Sequence, residues 1–229
     1  MFLLKSFTKK NQNKTKKNRM KIKDLCIPSN KVFQVPFKKE QIDRYKGIND
    51  FYTNDCFFQA MTVLGLRHYS VSKKDSLNIR KNNSYGVEAR DAAIYLSTIF
   101  NTTIVPKDVT TKEIYEFYSI YKDVYVPRTS EPIHKQLNSM VDLENGYATF
   151  ICGQTCPIGS TSVTGHYFIV YKENDTIYYY DQCDDLITKN VYKILGSKSS
   201  PFIGFFLYYN QGKKKCMLLK DKIKIDVPI

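Results

Sequence analysis

From Tyr147 onward the chain is a succession of short aromatic and β-branched runs, "YATFIC", "HYFIVY", "TIYYYD", "GFFLYY" and "KIKIDV", separated by turn residues at short spacing. Such runs read as strands, and strands joined by short turns pair with their neighbours, so one mainly antiparallel sheet is expected here. Upstream the period changes. The apolar residues of "CFFQAMTVLGL" suit a buried helix that starts at Cys56 and ends with Gly65 at the C′ position. Ala89, Ala92, Ala93, Leu96, Ile99 and Phe100 recur at helical spacing and predict a second helix over about Val87–Phe100. Thr110 followed by Glu113 is a capping-box signature for a third, "TTKEIYEFYSIYKD". Helices lead and strands follow, which is the order of an α+β domain whose two subregions leave a cleft for a ligand.

The remaining segments fill in the organisation. Residues 67–85 are polar and predict a loop, and residues 25–46, with Pro28 and Pro36, read as a lead-in that wraps the domain. The net charge of +13 is uneven: residues 1–24 carry nine Lys/Arg against one Asp, leaving +5 for residues 25–229. The chain therefore divides into a basic tail, 1–24, and a folded domain, 25–229. The tail lacks core-forming residues and is expected to be a solvated arm, with weak nucleic-acid contact as its possible extra role. No apolar run approaches the roughly 18 residues that span a bilayer, and "MFLL" is too short for a signal-peptide core, so no transmembrane segment and an intracellular setting are expected. The bias toward Lys, Asn, Ile and Tyr suggests an AT-rich genome such as that of a large DNA virus, which would place the protein in host cytoplasm or nucleus, or in a virion.

Six cysteines are scattered through a chain long enough to build a core without a disulfide framework. Cys152 and Cys156 form C-x3-C and, with Cys183, resemble part of a zinc site, but no second tight pair completes one. No metal or organic cofactor is expected. Cys56 differs from the other cysteines because it falls in the first turn of its helix, where unpaired N–H groups stabilise negative charge, with Asn54 or Asp55 as the cap. A cysteine beside Phe-Phe also suits simple packing. What favours reaction is "TGHYFIVYKENDTIYYYDQ", which reads as a hairpin. Pairing Tyr171 with Thr176 across a four-residue loop sets His166 opposite Asp181, with Cβ atoms roughly 4.5–5.5 Å apart. Asp181 would then orient His166, the base that a cysteine nucleophile requires. His68, in the polar segment, and His134, after "SEPI", have no such partner.

The order of cysteine helix, strand histidine and an acid one hairpin later resembles the papain-like cysteine peptidases, and within them the ubiquitin-specific proteases. Gly47-Ile48, Asn54 and "CFFQAM" are similar to that family's Cys box. "GHYFIVY", "YYYDQCDD" and "GFFLYY" are similar to its His box, Asp-bearing strand and last aromatic strand. The likeness covers segments 47–66 and 165–209. Five residues before the cysteine, where the family carries an oxyanion-stabilising Asn, this chain has Phe51; Asn49 or Asn54 would take that role with the N–H of Cys56. The resemblance implies a helical part carrying Cys56 packed on the sheet bearing His166, and cleavage of a ubiquitin-like C-terminal bond. Gly165 would let the substrate backbone pass, with Asp55 and Tyr167 also contacting substrate. A cleft that reads a basic ubiquitin tail should be acidic further out, with Asp50, Asp55, Asp184, Asp185, Glu88 and Asp91 as candidates. Two other readings fit the sequence: an inactive papain-like binding or virion-associated protein, and acyl transfer by the same triad.

Overall fold

The computed structural model describes residues 31–46, 55–80, 86–108, 137–157, 163–195, 200 and 202–212. The tail 1–24, Asn49 and Asn54, the expected third helix, His134 and the "KIKIDV" run lie outside them. Two short strands, β1 (Lys31–Val32) and β2 (Val35–Pro36), precede α1 (Glu40–Tyr45), α2 (Cys56–Val63), α3 (Tyr69–Arg80) and α4 (Ala89–Phe100). Then come β3 (Ile104–Asp108), β4 (Tyr147–Thr155), β5 (Thr164–Glu173), β6 (Thr176–Asp181), β7 (Leu186–Thr188) and β8 (Phe202–Asn210). The architecture is α+β: helices lead, and the described strands join one antiparallel sheet in the order β1-β8-β4-β5-β6-β7, with β2 paired to β4 and β3 to β8.

The central strands are apolar in nearly every position because both sheet faces are covered. Phe150, Tyr167, Ile169, Tyr171 and Tyr208 pack under the helices with Phe57, Met61, Tyr95 and Leu96. Ile151, Phe168, Val170, Phe205 and Leu207 face the other way, onto Leu137, Val141, Val191 and Leu195. The lead-in wraps the domain as expected and inserts more than expected: Phe33 and Val35 are fully buried, and β1 and β2 hydrogen-bond to β8 and β4. Helix α2 ends as its sequence predicts. Gly65 adopts φ +70°, its N–H bonds the Thr62 carbonyl and the Leu66 N–H bonds that of Met61, which together make a Schellman cap.

Three expectations require correction. Residues 67–85 are not a loop: most of the segment is α3, whose inward face is polar. Ser72, Asp75 and Ser76 are buried there, with Asp75 bonded to Arg67 at 2.9 Å and to the Tyr95 hydroxyl at 2.5 Å. A helix that buries hydroxyls and a carboxylate carries no apolar period to detect. Strand β3 also went unrecognised, because Pro106 argues against a strand; it is tolerated where the strand flanks only β8. Third, the β5–β6 turn has two residues, not four. Asn174 and Asp175, at φ 49° and 59°, make the turn, and Tyr171 pairs with Tyr178. The register is displaced by two residues, an even number, so every side chain keeps its face. His166 and Asp181 therefore share a face as diagonal neighbours instead of standing directly opposite.

Candidate active site

Cys56 is the first residue of α2, and aromatic packing one residue later fixes where its sulfur lies. The Phe57 ring meets Tyr167, Phe150 and Tyr95 edge-on at centroid distances of 5.1, 5.6 and 5.7 Å, which pins the start of the helix against β5 beside His166. The sheet opens at this point. The β5–β6 ladder runs only from Glu173↔Thr176 to Ile169↔Tyr180, and beyond it the backbone of Tyr167 finds other partners. Its N–H donates to Cys56 Sγ at 3.4 Å, and its carbonyl accepts from Gln182 Nε2 at 2.6 Å. The helix N-terminus thus occupies the split between two strands, and the sulfur receives a backbone donor that would otherwise belong to the ladder.

His166 and Asp181 meet across the same split. Nε2 of His166 lies 3.0 Å from Asp181 Oδ2, and the ring also interacts with the Cys56 side chain. Asp181 is 3% exposed, and its other oxygen accepts the N–H of Cys183 at 2.9 Å. Burial by itself would lower the imidazole pKa. The hydrogen bonds from Asp181 and Cys56, and the charges they carry, overcome burial and push His166 up to about 10. Burial likewise opposes ionisation of Asp181, but His166 and the N–H groups of Cys183 and Asp184 hold its carboxyl below the usual range. Cys152, Cys156 and Cys183 are pushed upward. Burial, followed by the proximity of Cys56, pushes Cys152 up to about 12; burial pushes Cys156 up; and burial together with Asp181 raises Cys183. All three are held as thiols.

A cavity of about 1140 Å³ opens over these groups, lined by Cys56, Gly165, His166 and Asp181 and, further out, by Glu88, Arg90 and Asp184. Close packing favours glycine at 165: a Cβ there would stand 3.0 Å from Cys152 Sγ, a tight contact. Tyr167 reaches the site through its backbone only, since its ring is buried and its hydroxyl bonds that of Tyr208 at 2.9 Å. Asp55 occupies the N-cap position without a side-chain cap bond. Its carboxylate points into the protein, 1% exposed and 2.5 Å from the Ser76 hydroxyl, so it offers nothing to a substrate. Of the acidic candidates that are described, Glu88 and Asp184 line the cavity, whereas Asp91 and Asp185 do not; Asp185 pairs with Lys46 at 3.2 Å. His68 stays outside, at the start of α3 with its Nδ1 near Ser70. Cys152 and Cys156 belong to opposite faces of the sheet, separated by an irregularity between Gln154 and Thr155, which removes them as a chelating pair.

One participant escaped the sequence reading. Gln182 is buried and its amide joins the Cys56 carbonyl, at 2.9 Å, to the Tyr167 carbonyl, so one side chain ties the cysteine helix to the histidine strand and follows Asp181 directly in the chain. Its only signal was adjacency to the acid in "YYYDQCDD". The arrangement brings together a cysteine, a histidine with a buried carboxylate behind it, and an open cavity. No family model and no curated protein matches the chain. Two solved structures are distantly similar to it. The Salmonella effector SpvD in its R161 variant is 16% identical, with 78% of this chain and 82% of that one covered at a TM-score of 0.31. The G161 variant of the same effector is 14% identical, with 79% and 84% covered at a TM-score of 0.35. Both likenesses are too distant to bear on the chemistry.

Proposed function

We propose that the protein is a cysteine peptidase of the papain-like kind, acting on a ubiquitin-like C-terminus. The observation that carries this reading is the His166–Asp181 pair at 3.0 Å, set beside a helix-N-terminal Cys56 whose sulfur also accepts a backbone N–H. The Cys56 thiolate attacks the scissile carbonyl carbon, and the carbonyl electron pair moves to oxygen, where the N–H of Cys56 at the start of α2 helps hold it. His166, protonated and kept so by Asp181, gives its proton to the departing amine as the C–N bond breaks. A thioester on Cys56 remains. Water then attacks it, His166 takes the water proton, and the carboxylate product and the free thiolate are released. Asp181 stays ionised throughout and holds the ring in place.

The choice of substrate rests on the cavity. Gly165 adds no side chain to the lining, as passage of a Gly-Gly terminus requires, and Glu88 and Asp184 outnumber Arg90 in the outer lining and favour a basic tail. A fluorogenic ubiquitin C-terminal substrate tests it. Turnover that disappears in Cys56→Ala supports the reading; turnover of unrelated peptides alone would reassign the substrate while leaving the peptidase chemistry in place.

A further inference from the structure

Cys183 has no part in that reaction, yet its sulfur stands among the groups that do. One ligating atom each from His166, Asp181 and Cys183 lies within 4.8 Å of the other two. We infer that these three residues form a regulatory site for a divalent ion of the zinc class, and that its occupation switches the peptidase off. The inhibitory half of this inference rests on the catalytic reading; the binding half does not.

The donor set is an imidazole nitrogen, a carboxylate oxygen and a sulfur, the mixture that zinc accepts and that the oxygen-seeking ions calcium and magnesium do not. The geometry is close to closed. Ligands held tetrahedrally at zinc bond lengths stand roughly 3.3–3.6 Å from one another. His166 Nε2 and Asp181 Oδ2 are already 3.0 Å apart, so an ion can take the place of the proton they share after a small opening. The sulfur, within 4.8 Å of both, has at most about 1.5 Å to travel. Cys183 is an exposed residue whose thiol is engaged with Gln59 Oε1 at 3.3 Å, a weak contact that a metal–thiolate bond readily replaces. The supports are in place as well: Asp181 Oδ1 is anchored by the Cys183 N–H at 2.9 Å, and the cavity gives an ion access and a fourth position for water. Binding displaces the Cys183 thiol proton and the His166 Nε2 proton to solvent. With Nε2 on the metal, His166 no longer has Asp181 to stabilise its protonated form and cannot cycle a proton for Cys56.

This departs from the expectation that the chain takes no metal, which weighed Cys183 with the C-x3-C pair Cys152 and Cys156 and not beside His166 and Asp181. The test uses the full chain, stripped of metal, with Co²⁺ as the probe in a Cys56→Ala background. A thiolate-to-cobalt charge-transfer band at one ion per chain is expected, displaced by Zn²⁺. It should be lost in both Cys183→Ser and Cys183→Ala, with far-UV circular dichroism confirming the fold of at least one. In the otherwise unchanged protein, Zn²⁺ should slow alkylation of Cys56, followed on its own peptide by mass spectrometry, at least ten-fold and reversibly by chelator. That ratio should fall to one in the Cys183 variants, whatever their starting rate. Absence of the band, or a band undiminished without Cys183, overturns the site. A band with Zn²⁺-insensitive alkylation overturns the switch, and a Cys56 that never reacts while the band persists overturns the catalytic reading instead.

Discussion

The chemistry proposed for Cys56 depends on His166 remaining charged, and the pH at which it stops being so is set by two neighbours. Asp181 and the Cys56 thiol hold the imidazole up to about 10, against 6.5 for an unperturbed histidine, despite the burial that opposes them. A group with a raised folded pKa stabilises the fold fully below its unfolded value and loses that contribution as the pH rises through the folded one. The melting-temperature deficit of His166→Ala, measured in chelator, should therefore be constant below about pH 6.5 and shrink toward pH 10. A deficit that grows over that range would place the proton elsewhere. Asp181 works in the opposite sense: its depressed pKa adds stability above the ordinary carboxylate value, lost only in acid. Gln182 ties the start of α2 to β5, and truncation to Ala leaves the carbonyls of Cys56 and Tyr167 without its amide. A cost of about 1–3 kcal/mol in denaturant midpoint analysis is expected. Turnover should fall further than the residual folded fraction explains, with the loss in kcat and partial recovery in Gln182→Asn.

At the scale of elements, what was legible in the sequence is what shows an apolar period. Helices α2 and α4, strands β4, β5, β6 and β8 and the Gly65 cap all carry their signal in which residues repeat and at what spacing. Helix α3 does not, because it turns a polar face inward, and Arg67, Asp75 and Tyr95 satisfy one another where little solvent reaches. That network supplies a test. Asp75→Ala leaves a largely buried guanidinium with only the Tyr95 hydroxyl as its partner in this network and should cost about 3 kcal/mol in chemical unfolding, far more than a surface carboxylate would; a change under about 1 kcal/mol would show that solvent compensates Arg67. The hairpin register was misjudged, since Asn174-Asp175 lacks the glycine that usually announces a two-residue turn. The pairing of His166 with Asp181 was nevertheless legible, because a displacement by two residues conserves faces. The inward carboxylate of Asp55 and the amide bridge of Gln182 were not, since both depend on contacts more than 20 residues apart in the chain.

The whole molecule combines a sheet buried on both faces with a cavity where that sheet splits around the start of α2. Residues 1–24 are predominantly polar and basic, with nine Lys/Arg against one Asp. A truncation beginning at Leu25 is accordingly expected to keep its melting temperature and its Cys56 reactivity, and to lose most of any salt-dependent nucleic-acid affinity of the full chain. Unfolding on truncation would show that residues 1–24 are integral to the domain. The central claim, that one cysteine of six is a nucleophile driven by His166, is tested most directly by limited alkylation at pH 7 with peptide-level mass spectrometry, in chelator. Cys56 should be modified at least ten-fold faster than Cys152, Cys156 or Cys183, and His166→Ala should abolish most of that advantage. Equal labelling of the exposed Cys183 and of Cys56, unchanged without His166, would contradict it.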